Sequence, residues 1–377
     1  MKFLLIYVPN LRFNNNPYKK YNLYEFATHV TRKNKDNVSN LPLTISAQYG
    51  LVDQVSFFNK TVASKDMSGY YLLKNGEFAY NKSYSNDYPW GAIKRLDLYN
   101  MGCLSTLYIC FKSNDNIVNS NYLVHYFESP KWHKQVADIA GEGARNHGLL
   151  NIAVNDFFNT KHAVPTIENQ IKIARFLDLI EERIQTQIKI IEDYKVLKKK
   201  ISKQVIGSQK PNTHIYECLE NNSSSSKESD FDEYTEGQFP IYGANGVIKH
   251  INSYLIDIPS ISIVKDGAGV GRTRFLYGKY TVIGTLNYLT SKNGYDLLYL
   301  YYALDNLDFT KYIVGSGIPH IYFKDYKREM IYIPKDEKTI NKIVRCLSSL
   351  DLLIHNEQNL LLYLTKQKEY LLNNMFI

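Results

Sequence analysis

Two clusters of cationic and polar residues are the part of this sequence best suited to chemistry, and that chemistry is binding. The first cluster lies in the turn-rich stretch 81–95 and comprises Lys82, Ser83, Tyr84, Lys94 and Arg95. The second lies in residues 265–274 and comprises Lys265, Arg272 and Arg274. Lysine and arginine neutralise phosphates, and arginine can also donate two hydrogen bonds to O6 and N7 of guanine. The clusters together predict contacts with DNA, although each residue singly could equally be a solvated charge in a turn.

Four further polar residues extend this prediction to base edges. Asn245 and His320 lie in the second half of the chain, and Arg145 and Asn146 lie in the GEGARNH segment at 141–147. Amide, imidazole and guanidinium groups can all form hydrogen bonds in the grooves of a duplex. We therefore include them in the predicted DNA-binding set.

Signatures of catalysis or metal binding are weak in this sequence. The nine histidines form no HExxH or HxH pattern, and the four cysteines form no CxxC pair. The glycine-rich DGAGVGR at 266–272 lacks the spacing of a phosphate-binding loop, and its glycines are typical of a tight turn. We expect no metal and no cofactor bound by this chain, and no catalysis by it alone.

Composition sets the class of protein. The 377 residues are 44% hydrophobic and 22% charged, which is typical of a globular protein and long enough for two domains. The net charge of +8 suits a polyanionic partner without requiring one. Few cysteines favour a reducing cytoplasm. The apolar run at 3–8 is too short for a signal peptide or a membrane span.

A repeat of two helical segments organises the chain. Residues 164–206 and 333–377 each begin with an apolar residue and a proline, Pro165 or Pro334, followed three residues later by Glu168 or Glu337. At one offset of 170 residues their apolar positions coincide, with the steps of three, four and seven that are typical of a coiled coil. The predicted core of the helix pair is Leu177, Ile180, Ile184, Ile191, Tyr194 and Ile201 in the first helix, and Leu347, Leu350, Ile354, Leu361, Leu364 and Leu371 in the second.

The segments that precede these helices also match each other. Tyr24 corresponds to Tyr216, Lys82 to Lys265, and further pairs follow at offsets that drift from 196 to 169 as loop lengths differ. Strands are predicted at 104–111, 258–264 and 280–289, and the acidic stretch 221–236 is predicted to be a solvated loop. We predict an α+β protein with an internal pseudo-two-fold repeat: domains at 1–163 and 207–333, and long helices at 164–206 and 334–377.

With this organisation the sequence resembles the specificity subunits of type I restriction-modification systems. The resemblance covers essentially the whole chain and rests on VPNLRF at 8–13, YGANG at 242–246, GSGIPHIYFKDY at 315–326 and the two proline-led helices. Each motif is weak by itself, whereas their place in an alternating repeat makes them jointly specific.

The resemblance implies a function in DNA recognition. In that family two target-recognition domains each bind one half of a split DNA sequence, and two helices pack antiparallel as spacer and docking surface. It implies as partners double-stranded DNA, two methyltransferase subunits and restriction subunits, with S-adenosylmethionine bound by the methyltransferase. Two alternatives remain open: a coiled-coil scaffold that binds no DNA, and a stand-alone DNA-modifying enzyme.

Overall fold

The computed structural model describes residues 18–46, 48–85, 88–140, 148–233, 236–315 and 317–376. The chain divides into two compact units: the first unit contains residues 1–186 and 361–377, and the second unit contains residues 187–360. The boundary crosses both long helices, so each unit contains part of each helix. The prediction from the sequence, by contrast, has the long helices as segments separate from the two domains.

The described residues of the first unit form ten short strands and five short α-helices before its first long helix. The strands are β1 Lys19–Asn22, β2 Ala27–His29, β3 Leu43–Ser46, β4 Gly50–Asp53, β5 Tyr71–Lys74, β6 Phe78–Asn81, β7 Ala92–Arg95, β8 Met101–Leu104, β9 Ile109–Ser113 and β10 Lys161–Val164. The helices are α1 Leu23–Phe26, α2 Gln54–Phe58, α3 Ser120–Glu128, α4 His133–Ile139 and α5 Val154–Phe158. The long helix α6 is Ile167–Ser202, and a π-helical turn extends it to Gly207.

A four-stranded antiparallel sheet in the order β2-β9-β6-β7 is the centre of the first unit. The pairs β1-β10, β3-β4 and β5-β8 surround it. One face of the sheet packs through Phe78, Tyr80 and Phe111 on α3, α5 and the ends of the long helices. The other face packs on β3, β4 and β8.

The second unit repeats this plan with fewer residues. Its strands are β11 Thr213–His214, β12 Leu219–Ser223, β13 Phe239–Gly243, β14 Gly246–Ile251, β15 Ser260–Val264, β16 Thr273–Leu276, β17 Thr281–Val282, β18 Leu286–Ser291 and β19 Met330–Ile331. Its helices are α7 Ile215–Cys218, α8 Leu297–Leu304 and α9 Phe323–Tyr326, followed by the long helix α10 Glu337–Asn374. The sheet order is β12-β18-β15-β16, beside β14-β13-β17 and β11-β19.

The two units share the topology of their four-stranded sheet and of one two-stranded pair. The sheet β2-β9-β6-β7 corresponds to β12-β18-β15-β16, and the pair β1-β10 to β11-β19. Asn119 accepts a hydrogen bond from the backbone of Tyr122 at the start of α3, and Asp296 accepts one from Tyr299 at the start of α8. These caps satisfy a free N–H group at the same place in both units. The predicted α+β fold with an internal repeat is confirmed.

Three local predictions are wrong. The predicted strand at 104–111 is interrupted, because Ser105 accepts a backbone hydrogen bond from Tyr108 in a turn between β8 and β9. The predicted strand at 280–289 is interrupted in the same way, because Ile283 accepts a backbone hydrogen bond from Leu286 in a turn between β17 and β18. The stretch 221–236 is not simply a solvated loop, because it contributes the end of β12 and a 3-10 turn at Glu228–Phe231. Phe231 is buried beside Ile241 and Ile251, and this apolar anchor holds the acidic stretch on the second unit.

The long helices α6 and α10 pack against each other, and within each unit they run antiparallel. In the first unit Glu181 contacts Lys368 and Leu177 lies in one cluster with Leu371. In the second unit Gln187 donates to the carbonyl of Glu357 and Lys198 contacts Asp351. Eight of the twelve residues assigned to the helix-pair core are buried. The other four, which are half-buried, are Ile180, Tyr194, Ile201 and Leu361.

Candidate nucleic-acid interface

The second unit places two loops side by side at the end of its sheet. One is the glycine-rich loop 265–272 between β15 and β16, and the other comprises residues 314–315 and 317–322 before α9. The backbone N–H of Gly267 donates to the carbonyl of Pro319, and that of Ile321 donates to the carbonyl of Lys265, both at 2.9 Å. These bonds join the two loops into one surface, which we call the paired-loop surface.

Arg272 and Lys265 supply the positive charge of this surface. Arg272 is exposed, and no acidic side chain among the described residues forms an ion pair with it. Lys265 is half-buried, and its Nζ lies 4.0 Å from the carboxylate of Asp266. The Arg272 guanidinium lies over Gly269, where φ is +85° and an added Cβ would be 2.3 Å from Nη2. The positive φ favours glycine at position 269, and the missing Cβ leaves room for the Arg272 guanidinium across the turn.

His320 and two neighbours complete the surface. His320 is half-buried, with its ring edge-on to Tyr322 at 5.1 Å between centroids. Tyr322 is exposed, and the Nζ of Lys324 lies 5.1 Å from its ring. Sequence reasoning missed Tyr322 and Lys324 as candidates, although both lie in the GSGIPHIYFKDY motif. His320, Tyr322 and Lys324 lie at every second position, and this spacing was the signal in the sequence that could have identified the latter two.

Arg274 and Asn245 lie on a different part of the second unit. Asn245 is exposed at the tip of the β13-β14 hairpin. Arg274 is half-buried on β16, and its guanidinium lies 3.9 Å from the position of a Cβ added to Gly246 in that hairpin. Burial raises the pKa of Tyr242, and the charge of Arg274 acts in the opposite direction. These contacts bring Arg274 close to the hairpin that carries Asn245.

The first unit has the equivalent of the paired-loop surface after β6. Lys82 follows β6 as Lys265 follows β15, and its carbonyl accepts a 2.9 Å hydrogen bond from Leu150, as that of Lys265 does from Ile321. Ser83 and Tyr84 are exposed beside it. Arg145 and Asn146 lie outside the described residues.

Lys94 and Arg95, by contrast, contact other side chains of the first unit. Lys94 forms an ion pair with Glu128 at 3.2 Å. Arg95 forms one with Asp97 at 2.6 Å, and its Nη1 also donates to side chains at the start of α3, namely Ser120 and Asn121. Strand register makes Lys94 the counterpart of Arg274, for which the described residues provide no ion pair.

Glu128 is the centre of an ion network at the base of the long helices. Besides Lys94 it contacts Lys368 of α10 at 3.0 Å, and Lys368 contacts Glu181 of α6 at 2.6 Å. Burial by itself would raise the pKa of Glu128, but the charges of Lys94 and Lys368 outweigh burial and lower it to about 2. The carboxylate is therefore ionised in the folded protein well below its ordinary pKa.

We expect this network to make the chain acid-sensitive. A carboxylate with a lowered folded pKa contributes stability that is complete above about pH 4.5 and is lost as the pH falls towards 2. The contribution of Glu128 should reach at most about 3 kcal/mol. Urea unfolding between pH 6 and pH 3 measures it: Glu128→Gln should flatten the pH dependence, whereas the exposed Glu182→Gln should not. An unchanged slope in Glu128→Gln would contradict the assignment.

The described ranges contain neither a candidate metal site nor a candidate membrane span. No group of three or more histidine, cysteine or acidic side chains in them is arranged to hold a metal ion. None of the helices there is both long and apolar enough to cross a bilayer.

Comparison with known proteins gives one family and one fold. Residues 213–370 match the family model of the type I restriction modification DNA specificity domain. No curated protein matches the sequence. The structure is similar to that of the type I restriction-modification system S subunit from M. genitalium, with a TM-score of 0.61, 17% identity, and coverage of 98% of this chain and 99% of that one.

A second similar structure belongs to a study of complex assembly and conformational transition of the type I R-M system. Its TM-score is 0.58 at 16% identity, over 95% of this chain and 98% of that one. At these identities the two similarities establish a common fold along nearly the whole chain.

Proposed function

Because residues 213–370 match the family model of the type I restriction modification DNA specificity domain, we propose that the whole chain recognises a bipartite double-stranded DNA sequence. Each unit would bind one half of the target. The chain would determine which DNA sequence a type I restriction-modification complex binds, and it would perform no catalysis itself.

The observation that carries this proposal is the repeated topology with cations at equivalent loops. Lys82 and Lys265 follow equivalent strands, and the backbone carbonyl of each accepts an equivalent hydrogen bond from a backbone N–H group. A duplicated binding unit is suited to a duplicated ligand, which for DNA means two half-sites. Phosphate contacts would position each unit, and hydrogen bonds to base edges would select the sequence.

The long helices are the proposed docking site for methyltransferase and restriction subunits. In the second unit α10 exposes Leu352, Leu353 and Leu360, which is unusual for one helix face and favours contact with another helix. The methyltransferase subunits, two in the proposed complex, would bind S-adenosylmethionine, since we propose no cofactor for this chain. The proposed complex would act on DNA in the cytoplasm.

Methylome sequencing tests the proposal in cells that express this chain with its methyltransferase. The expected result is one methylated motif split into two defined segments by a spacer of undefined sequence. A continuous motif, or methylation that does not depend on this chain, would contradict bipartite recognition.

Salt dependence separates DNA binding from a scaffold role. If about six phosphates are neutralised, log affinity should fall with log salt at a slope near −5. Fluorescence anisotropy of a duplex carrying the methylated motif, titrated at several salt concentrations, measures this slope. A scaffold that binds only protein would give no salt-dependent affinity for the duplex.

A further inference from the structure

An exposed isoleucine projects from the paired-loop surface of the second unit. Ile318 is 69% exposed, among the highest values for an aliphatic side chain in the described ranges. It lies in a short hairpin, in which Val314 and His320 exchange two backbone hydrogen bonds of 2.9 Å. Gly315 turns the chain at φ +94°, and a Cβ there would be 2.4 Å from the carbonyl of Ile318.

The hairpin is held in place on both sides. Pro319 accepts the hydrogen bond from Gly267, and the following Ile321 donates to Lys265. The ring of His320 lies 3.1 Å from the carbonyl of Ile318. An apolar side chain on a fixed support loses little conformational freedom when it enters a partner.

The paired-loop surface that carries this apolar side chain also carries cations, and their charge favours an anionic partner. Lys265 lies at the hairpin's attachment, and Arg272 ends the same glycine-rich loop. Lys324 lies two residues beyond the next exposed ring, Tyr322. An exposed aliphatic residue flanked by positive charge suits a duplex, in which phosphates bracket an apolar stack of bases.

We propose that Ile318 inserts between adjacent base pairs of the half-site bound by the second unit and locally unstacks them. The inference rests on the proposed function and adds DNA deformation to it. An inserted aliphatic side chain opens one base step, so the sequence at that step contributes to selectivity through its stacking energy.

The insertion belongs to one half of the chain only. Residues 141–150 of the first unit correspond to residues 315–321 of the second, because Gly141 aligns with Gly315 and the backbone hydrogen bond from Leu150 to Lys82 matches that from Ile321 to Lys265. The first unit has three more residues there, and the counterpart of Ile318 lies among Ala144, Arg145, Asn146 and His147, none of which is a large aliphatic residue. The first unit therefore has no equivalent wedge in its sequence, and the two half-sites should be deformed unequally.

Fluorescence of 2-aminopurine tests the insertion directly. The probe is a duplex selected from a random pool by the full-length chain, with 2-aminopurine placed at successive steps of both half-sites. Binding of the unmodified chain should raise the emission several-fold at one step, in one half-site. Ile318→Ala should abolish the rise, whereas Leu255→Ala, which removes an equally exposed leucine of the same unit, should leave it unchanged.

The outcomes distinguish the inference from the proposed function. If the unmodified chain shows no salt-dependent binding to any duplex, the proposed function fails and the inference fails with it. If the chain binds but Ile318→Ala keeps the emission rise, the insertion alone is overturned. If Ile318→Ala loses all binding, Ile318→Leu decides: recovery of binding and emission supports insertion, and failure to recover overturns it.

Discussion

Replacing Arg272 with alanine will relax selectivity at a single position of one half-site, by about 5- to 150-fold, and leave the other half-site unchanged. This range corresponds to the roughly 1 to 3 kcal/mol by which a bidentate arginine–guanine pair discriminates against other bases. Arg272 is exposed, has no ion-pair partner among the described residues, and lies at the end of the paired-loop surface. Its guanidinium is therefore available to a base edge.

Affinity for a panel of duplexes with single substitutions in both half-sites measures this effect. Arg345→Ala is the matched control, because it removes an exposed arginine of the same unit from α10. The control should alter no base preference. Equal loss of selectivity in both half-sites, or a uniform loss of affinity without any change of preference, would show that Arg272 contacts only phosphate or acts on folding.

Arg272 is a stronger candidate for base contact than the arginine and lysine of β7. Lys94 and Arg95 already contact Glu128, Asp97 and α3, so binding DNA would require these ion pairs to break. Half-buried ion pairs have lost part of their hydration, and removing one partner leaves the other uncompensated. Substitution of Lys94 or Arg95 should therefore affect the stability of the first unit as well as any affinity for DNA.

The repeat was predictable from the sequence because many positions in the two halves of the chain carry matching residues. The apolar spacing of the long helices and the pairs Tyr24 with Tyr216 and Lys82 with Lys265 all follow from one duplication. The structure places both members of each pair at equivalent positions, within α1 and α7 or directly after β6 and β15. Strand limits were less predictable. The run at 104–111 is apolar enough for one strand, but the turn at Ser105 depends on hydrogen bonds that composition does not reveal.

The partners of the candidate binding residues were not predictable from local sequence. Lys94 and Glu128 are 34 residues apart, and Lys368 joins them from the far end of the chain. The duplication nevertheless contained a usable signal: at the offset of 170, Lys198 and Asp351 correspond to Lys368 and Glu181. Both pairs form ion pairs of 2.6 Å, so each unit ties the two helices by the same contact.

Leu347→Ala will destabilise the chain by about 2 to 5 kcal/mol, the range measured for cavity-forming substitutions of buried leucines. Leu347 is 0% exposed and lies in the core of the second unit with Leu300 and Ile206, so its removal leaves a void between α10 and the domain. Leu352→Ala on the same helix is the control, because Leu352 is 60% exposed and should change the free energy of unfolding by less than about 0.5 kcal/mol.

Urea unfolding followed by circular dichroism compares the two variants. Both variants replace a leucine of α10 with alanine and so change helix propensity by the same amount. Any difference between their unfolding free energies therefore reports the burial of the leucine. Similar unfolding free energies for Leu347→Ala and Leu352→Ala would mean that this part of α10 does not pack on the rest of the second unit in solution. The paired-loop surface would then lose part of its support as well, because Ile321 anchors that surface in the same hydrophobic core as Leu347.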